Sequence, residues 1–138
     1  MDNSDLLLTT YRAKDADALR EALARVNDRN LAPFLSKLLL EDWHDSHEDI
    51  VLELGLIGDP CAISSIEQAI TIPFESLVKW GNLNEFQRKC AYALARIATA
   101  ESRAALARIT KISDTQLQVY GEEGLQHWPM PYKGEQFA

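Results

Sequence analysis

The chain has 138 residues, 46% hydrophobic and 25% charged, with six Gly and five Pro. Those proportions belong to one folded domain or a short repeat array and exclude a linker-rich or disordered segment. The formal net charge is −7, and its distribution is uneven: nine acidic residues and no Lys or Arg lie between Lys37 and Lys79.

The nine are Glu41, Asp42, Asp45, Glu48, Asp49, Glu53, Asp59, Glu67 and Glu75, which leaves 12 acidic and 14 basic residues elsewhere. Such a one-sign block repels nucleic acid and anionic lipid and attracts a cationic partner. No apolar run approaches the ~20 residues needed to cross a bilayer. The first five residues include two acids where a secretory signal carries basic ones, and the apolar run at 6–8 is short. These features predict a cytoplasmic protein. Cys61 and Cys90 lack metal-ligand spacing and read as buried free thiols in a reducing compartment.

In chain order, residues 5–11 predict a short leading helix. Residues 15–27 carry Leu19, Leu23 and Val26 on one helical face. Asn30 is a cap for the next helix, striped by Ala32, Leu35, Leu38 and Leu39. Ser46 with Asp49 has the spacing of a capping box, opening a helix with Ile50, Leu54 and Ile57 inward. Gly58 stops it, Asp59 caps its successor and Pro60 takes the first position, with Ile63, Ile66 and Ile70 facing in. An insert over 72–83 predicts an extra turn or two: Pro73 starts it, Phe74, Leu77 and Val78 pack, and Lys79 with Gly81 ends it. Asn84 and Gln87 suggest another capping box, followed by Cys90, Leu94 and Ile97 and then by Leu106 and Ile109. Ser113 with Gln116 caps a last helix. Pro129 and Pro131 then hold an extended tail, anchored by Trp128 and Tyr132.

Superposed, the helices form three pairs. Leu19, Ile50 and Cys90 correspond, as do Leu23, Leu54 and Leu94, and Val26, Ile57 and Ile97; Leu35, Ile66 and Leu106 correspond in the second helices. The offsets are 31 and then 40 residues, the nine extra lying between Thr71 and Asn84. Two-helix repeats of this length predict a short all-α solenoid. Its units span 15–42, 46–71 and 84–112, with the insert at 72–83 and a C-terminal cap over 113–138, all in a single domain.

The stretch Leu54–Gly55–Leu56–Ile57–Gly58–Asp59–Pro60, followed by Ala62 and Ile63, resembles the HEAT-like repeat of the bilin-lyase type. Residues 92–98, followed by Glu101 and Ala104, resemble a degenerate copy with Ala98 and Thr99 in place of Gly and Asp; residues 23–28 resemble a third that lacks the Pro. The resemblance covers about residues 15–112. It implies a protein-binding scaffold, since most members hold other proteins; a few are lyase subunits or DNA glycosylases, and some small bacterial ones are immunity proteins.

Chemistry is sparse. His44 and His47 lie among five carboxylates at 41–49, but His44 precedes the Ser46 cap and His47 follows it. A shared helical face is therefore not expected, no HExxH is present, and neither a metal nor another cofactor is predicted. Neither Cys has a base near it in sequence, so no catalytic residue is assigned. Glu41 and Asp42 end a helix where carboxylates are disfavoured, the kind of local conflict that can mark a functional surface. Trp43 beside them is a plug between units or an exposed anchor. The third unit holds Arg88, Lys89, Arg96, Arg103, Arg108 and Lys111, but the acidic segment argues against a groove for nucleic acid.

The expected partner-binding residues are Phe34, Lys37, Glu41, Asp42, Trp43, Asp45, Glu67, Gln68, Thr71 and Arg108. The expected function is non-catalytic binding of a basic protein, foremost as a bacterial immunity protein neutralising a nuclease-type toxin. The alternative is a lyase or chromophore-attachment accessory enzyme.

Overall fold

A computed structural model describes residues 3–25 and 28–130. The described residues form nine α-helices and no strand. None of the helices is long and apolar enough to cross a membrane. In order they are α1 (Asn3–Ala13), α2 (Ala16–Leu23), α3 (Ala32–Leu39), α4 (His47–Ile57), α5 (Ile63–Ala69), α6 (Glu75–Lys79), α7 (Leu83–Ile97), α8 (Ala100–Ile109) and α9 (Thr115–His127). Single 3-10 turns lead into α3 and α5.

Apolar spacing places the core where the stripes predict it. Leu35, Leu54, Ile66, Leu94 and Leu106 are fully buried in one cluster, together with Leu19, Ile50, Cys90 and Ile109. Leu23 is only half-buried. It ends α2, an edge helix that packs on α1, so it has core on one side only. Val26 and Asn27 lie outside the described residues.

The closest helix packing joins α4 to α7. Gly55 lies inside α4, and a Cβ there would stand 3.0 Å from the Cα of Ala93. The missing side chain lets the two backbones approach. Gly124 does the same for α9, where a Cβ would meet Leu106 at 2.4 Å and the Ala91 carbonyl at 3.2 Å.

Helix ends follow the sequence in part. Gly58 closes α4 in the left-handed conformation, φ 74°, its N–H donating to the Leu54 carbonyl. Forty residues on, Ala98 closes α7 in the same way with φ 60°, on Leu94. Asp59 then accepts from the Cys61 N–H at 2.8 Å. Thr99 and Ser102 form a reciprocal capping box at the start of α8.

Other caps differ from the expectations. Ahead of α3 the capping side chain is Asp28, which accepts from the Asn30 N–H, not Asn30 itself. Ser46 sits at the N-cap of α4 with ψ 19°, and its side chain makes no cap bond. A cap oxygen reaches the first helical amides from an extended backbone, which Ser46 lacks. The Asn84–Gln87 box is absent because α7 starts two residues earlier, at Leu83 with Asn82 as its N-cap, and Gln87 is buried, donating to the Ile70 carbonyl at 3.3 Å. Asp114, not Ser113, caps α9 by accepting from Gln116 and Leu117.

The insert forms α6 with Phe74 and Leu77 buried, and Gly81 at φ 72° follows it. Val78, expected to pack, is 55% exposed. A single turn of helix can bury only one face. After α9 the chain crosses back over α7 and α8: Trp128 Nε1 donates to the Thr99 carbonyl and the Met130 N–H to the Ala95 carbonyl. Tyr132 lies outside the described residues.

Two stability changes are expected. Gly55→Leu forces α4 from α7 and lowers the unfolding free energy by roughly 1–3 kcal/mol or more, as overpacking does. Ala98→Gly relieves a left-handed alanine and raises it by roughly 0.5–1 kcal/mol. Urea denaturation measures both.

Candidate functional site

The loop at 41–46 is built around Glu41. Its carboxylate accepts from Tyr11 Oη at 3.1 Å and from Trp43 Nε1 at 2.7 Å. The unfavourable position of this acid at the end of α3 is thus offset by two hydrogen bonds, of which Tyr11's ties the loop to α1 and Trp43's closes the loop on itself. Glu41 is a structural clamp. Trp43 is half-buried against Tyr11 and His44, closer to a plug than to a free anchor.

His44 lies outside α4 and shares no helical face with His47, as expected, yet the two come together beneath the loop. Their rings stack with centroids 4.2 Å apart, and His47 stacks in turn on Phe74 at 3.8 Å. The non-helical segment before Ser46 folds His44 back over the first turn of α4. His44 Nε2 donates to the Leu38 carbonyl at 2.8 Å, and its Nδ1 accepts from the Ser46 N–H at 3.1 Å. His47 Nε2 donates to the Glu41 carbonyl at 2.6 Å. The carbonyl partners make both rings neutral Nε2–H tautomers. Burial pushes His47 down to about 4, helped by the neighbouring His44, and also lowers His44. Among the described residues no three His, Cys, Asp or Glu side chains converge as a metal-ligand set.

Folding breaks up the acidic block. Asp45 pairs with Arg20 of α2, Glu48 with Lys89 of α7 at 2.7 Å, and Glu67 with Arg108 of α8 through two bonds of 2.7 and 2.8 Å. Two basic residues of the third unit, Lys89 and Arg108, and Arg20 of the first thus pair with three of the nine acids. Glu53 is half-buried with one oxygen lacking a partner, and burial, with Asp49 nearby, raises its pKa.

The ten expected residues do not share one surface. Phe34 and Lys37 gather at Tyr11, Phe34 edge-on at 5.5 Å and the Lys37 ammonium 5.0 Å from the ring. Glu67 and Arg108 line a 390 Å³ cleft between α5 and α8, along with Cys61 and Glu101. Gln68 and Thr71 are exposed and bonded within their own helix end, to Ser64 and to the Gln68 carbonyl.

Asp42, Trp43 and Asp45 instead meet α6. With His44, Glu75, Ser76, Lys79 and Trp80 they line a 290 Å³ cleft. Trp80 is 70% exposed, more than any other large apolar side chain among the described residues. The sequence reading missed it. Its signal was an aromatic residue between Lys79 and Gly81, at a helix end too short to bury it. Comparison with protein families, with curated proteins and with solved structures finds no match to this chain.

The buried histidines give a pH dependence whose sign is fixed. The unfolded chain takes up these protons near pH 6.5, whereas folded His47 resists until about pH 4. Their contribution is complete above 6.5 and is lost as pH falls toward 4. For His47 alone the loss is about 3 kcal/mol. Urea midpoints from pH 7.5 to 4 should show this fall, and His47→Gln should flatten it.

Proposed function

We propose that the chain is a non-catalytic, cytoplasmic protein-binding module that holds a basic protein through the cleft between the 41–46 loop and α6. The observation that carries this reading is Trp80, an exposed aromatic side chain beside Asp42 and Glu75. Buried aromatic anchors supply much of the energy of protein interfaces, and surrounding carboxylates steer cationic partners. Asp42 and Glu75 have no ion pair among the described residues and also line a second, 490 Å³ depression with Leu40 and Ile72. Val78 adds apolar area on the same short helix.

A HEAT-like repeat origin is supported by two rows of contacts, α4 on α7 and α3 on α5 on α8. The equivalent left-handed ends at Gly58 and Ala98 support it too, as do caps at Asp28, Asp59 and Thr99 in the 31- and 40-residue register. Within the binding class, we favour a bacterial immunity protein that covers the positive substrate surface of a nuclease-type toxin. The accessory-lyase alternative would need a reactive group. Its nearest candidate, Cys61, is exposed rather than buried as expected, yet partial desolvation and Asp59 push its thiol up, which disfavours the nucleophilic thiolate.

The test is to purify the tagged chain from its host, identify a stoichiometric partner and measure binding. A basic partner, toxic alone and harmless with this chain, is expected. Trp80→Ala should weaken binding at least tenfold, chiefly through faster dissociation. Asp42→Asn with Glu75→Gln should slow association at low salt, less so at high salt. A partner indifferent to all three changes, or turnover of a pigment or other small molecule, would reject the reading.

A further inference from the structure

The stacked pair His44 and His47 does more than fill space, because it fastens both walls of the cleft. His44 lines the cleft and, through Leu38 and Ser46, holds the loop that carries Asp42, Trp43 and Asp45. His47 holds the start of that loop through the Glu41 carbonyl and stacks on Phe74, the residue before Glu75 of α6.

Protonation of either ring is disfavoured where it stands. Both Nε2–H groups are committed to carbonyls, so a proton must enter at Nδ1. In His44 that atom already accepts the Ser46 N–H, and protonation would set donor against donor. In His47 it is buried without any partner, as is the adjacent Ser46 Oγ. Two imidazolium rings stacked at 4.2 Å would also repel each other.

We propose that the two histidines form a proton-triggered latch: mild acid opens the 41–46 loop from α6 and releases a partner held in the cleft. This rests on the cleft being the binding site.

Charged groups face the pair from several elements. Glu41, Asp42 and Asp45 of the loop favour protonation but are outweighed by burial, and Asp45 is partly neutralised by Arg20 of α2. On the α1 side, Tyr11 and Lys14 lie across Trp43, with Lys37 of α3 over Tyr11. On the α6 side are Glu75 and Lys79. On the α7 side His47 meets the uncharged Phe86, while Lys89 is held by Glu48. Opening exposes the rings to water, where they titrate near 6.5. From pH 7.5 to pH 5, His47 alone favours the open loop about thirtyfold.

Amide hydrogen exchange of the intact chain, corrected for intrinsic pH dependence, tests the latch. Between pH 7.5 and 5, protection at Ser46 and Glu41 should fall about thirtyfold or more relative to Leu94 and Ala98 of the core. His47→Gln, whose amide can still donate to the Glu41 carbonyl, should remove most of that step. His47→Phe, which keeps the stack, serves if the Gln variant is unstable. A pH-independent loop, loop and core losing protection together, or an unchanged step in both variants would overturn the proposal.

A second arm uses an oligoarginine peptide, followed by tryptophan fluorescence at both pH values. Weaker binding at pH 5 in the wild type but not in His47→Gln is expected. Equal binding at both pH values despite an open loop would reject release. A loop that opens while no peptide binds at either pH would reject the cleft as a cation-binding site and, with it, the regulatory role.

Discussion

The close approach of α4 and α7 at Gly55 is the constraint on which the rest of the structure depends. α4 is buried on most of its circumference, through His47, Ile50, Val51, Leu54, Gly55 and Ile57. A helix so enclosed needs a neighbour at short range, and a residue without a Cβ facing Ala93 provides it. Once α7 is seated, its buried face of Phe86, Cys90, Ala91 and Leu94 closes the centre of the core. α5, α8 and α9 then take their positions against α7.

That approach also decides the electrostatics. Lys89 of α7 reaches Glu48 at the start of α4, and Arg108 of α8 reaches Glu67 of α5, each across 41 residues of sequence. Exposed pairs of this kind add little stability, about 0–1 kcal/mol each. Their larger effect is on the surface potential, since they set a distant base against two acids of the segregated block. The unpaired acidity that remains is local, and part of it stands beside the one strongly exposed tryptophan.

The 41–46 loop combines buried polar contacts with exposed carboxylates on one short stretch. Glu41 bonds Tyr11 and Trp43, and the two stacked histidines donate to the carbonyls of Leu38 and Glu41, which together hold the loop in one conformation. Asp42 and Asp45, on the same six residues, remain exposed. A buried network built on imidazoles is stable only while they are neutral, so the rigidity of the loop and its sensitivity to acid have the same origin.

The sequence by itself determined the all-helical class, the positions of the helices within a few residues and most of the core. Apolar period, Gly58, and Asp59 with Pro60 act within one or two turns of chain, and such local signals are readable without a fold. Capping side chains were less legible: Ser46 and Asn84 have the right chemistry, but the backbone angle of one and the helix start of the other depend on what packs nearby. Only the tertiary structure decided that Glu41 is a clamp, that His44 and His47 stack, that Glu67 is bound to Arg108, and that Trp80 is left in solvent. Each depends on which distant side chain arrives within a few ångströms, and a linear pattern of charge and hydropathy does not carry that distance.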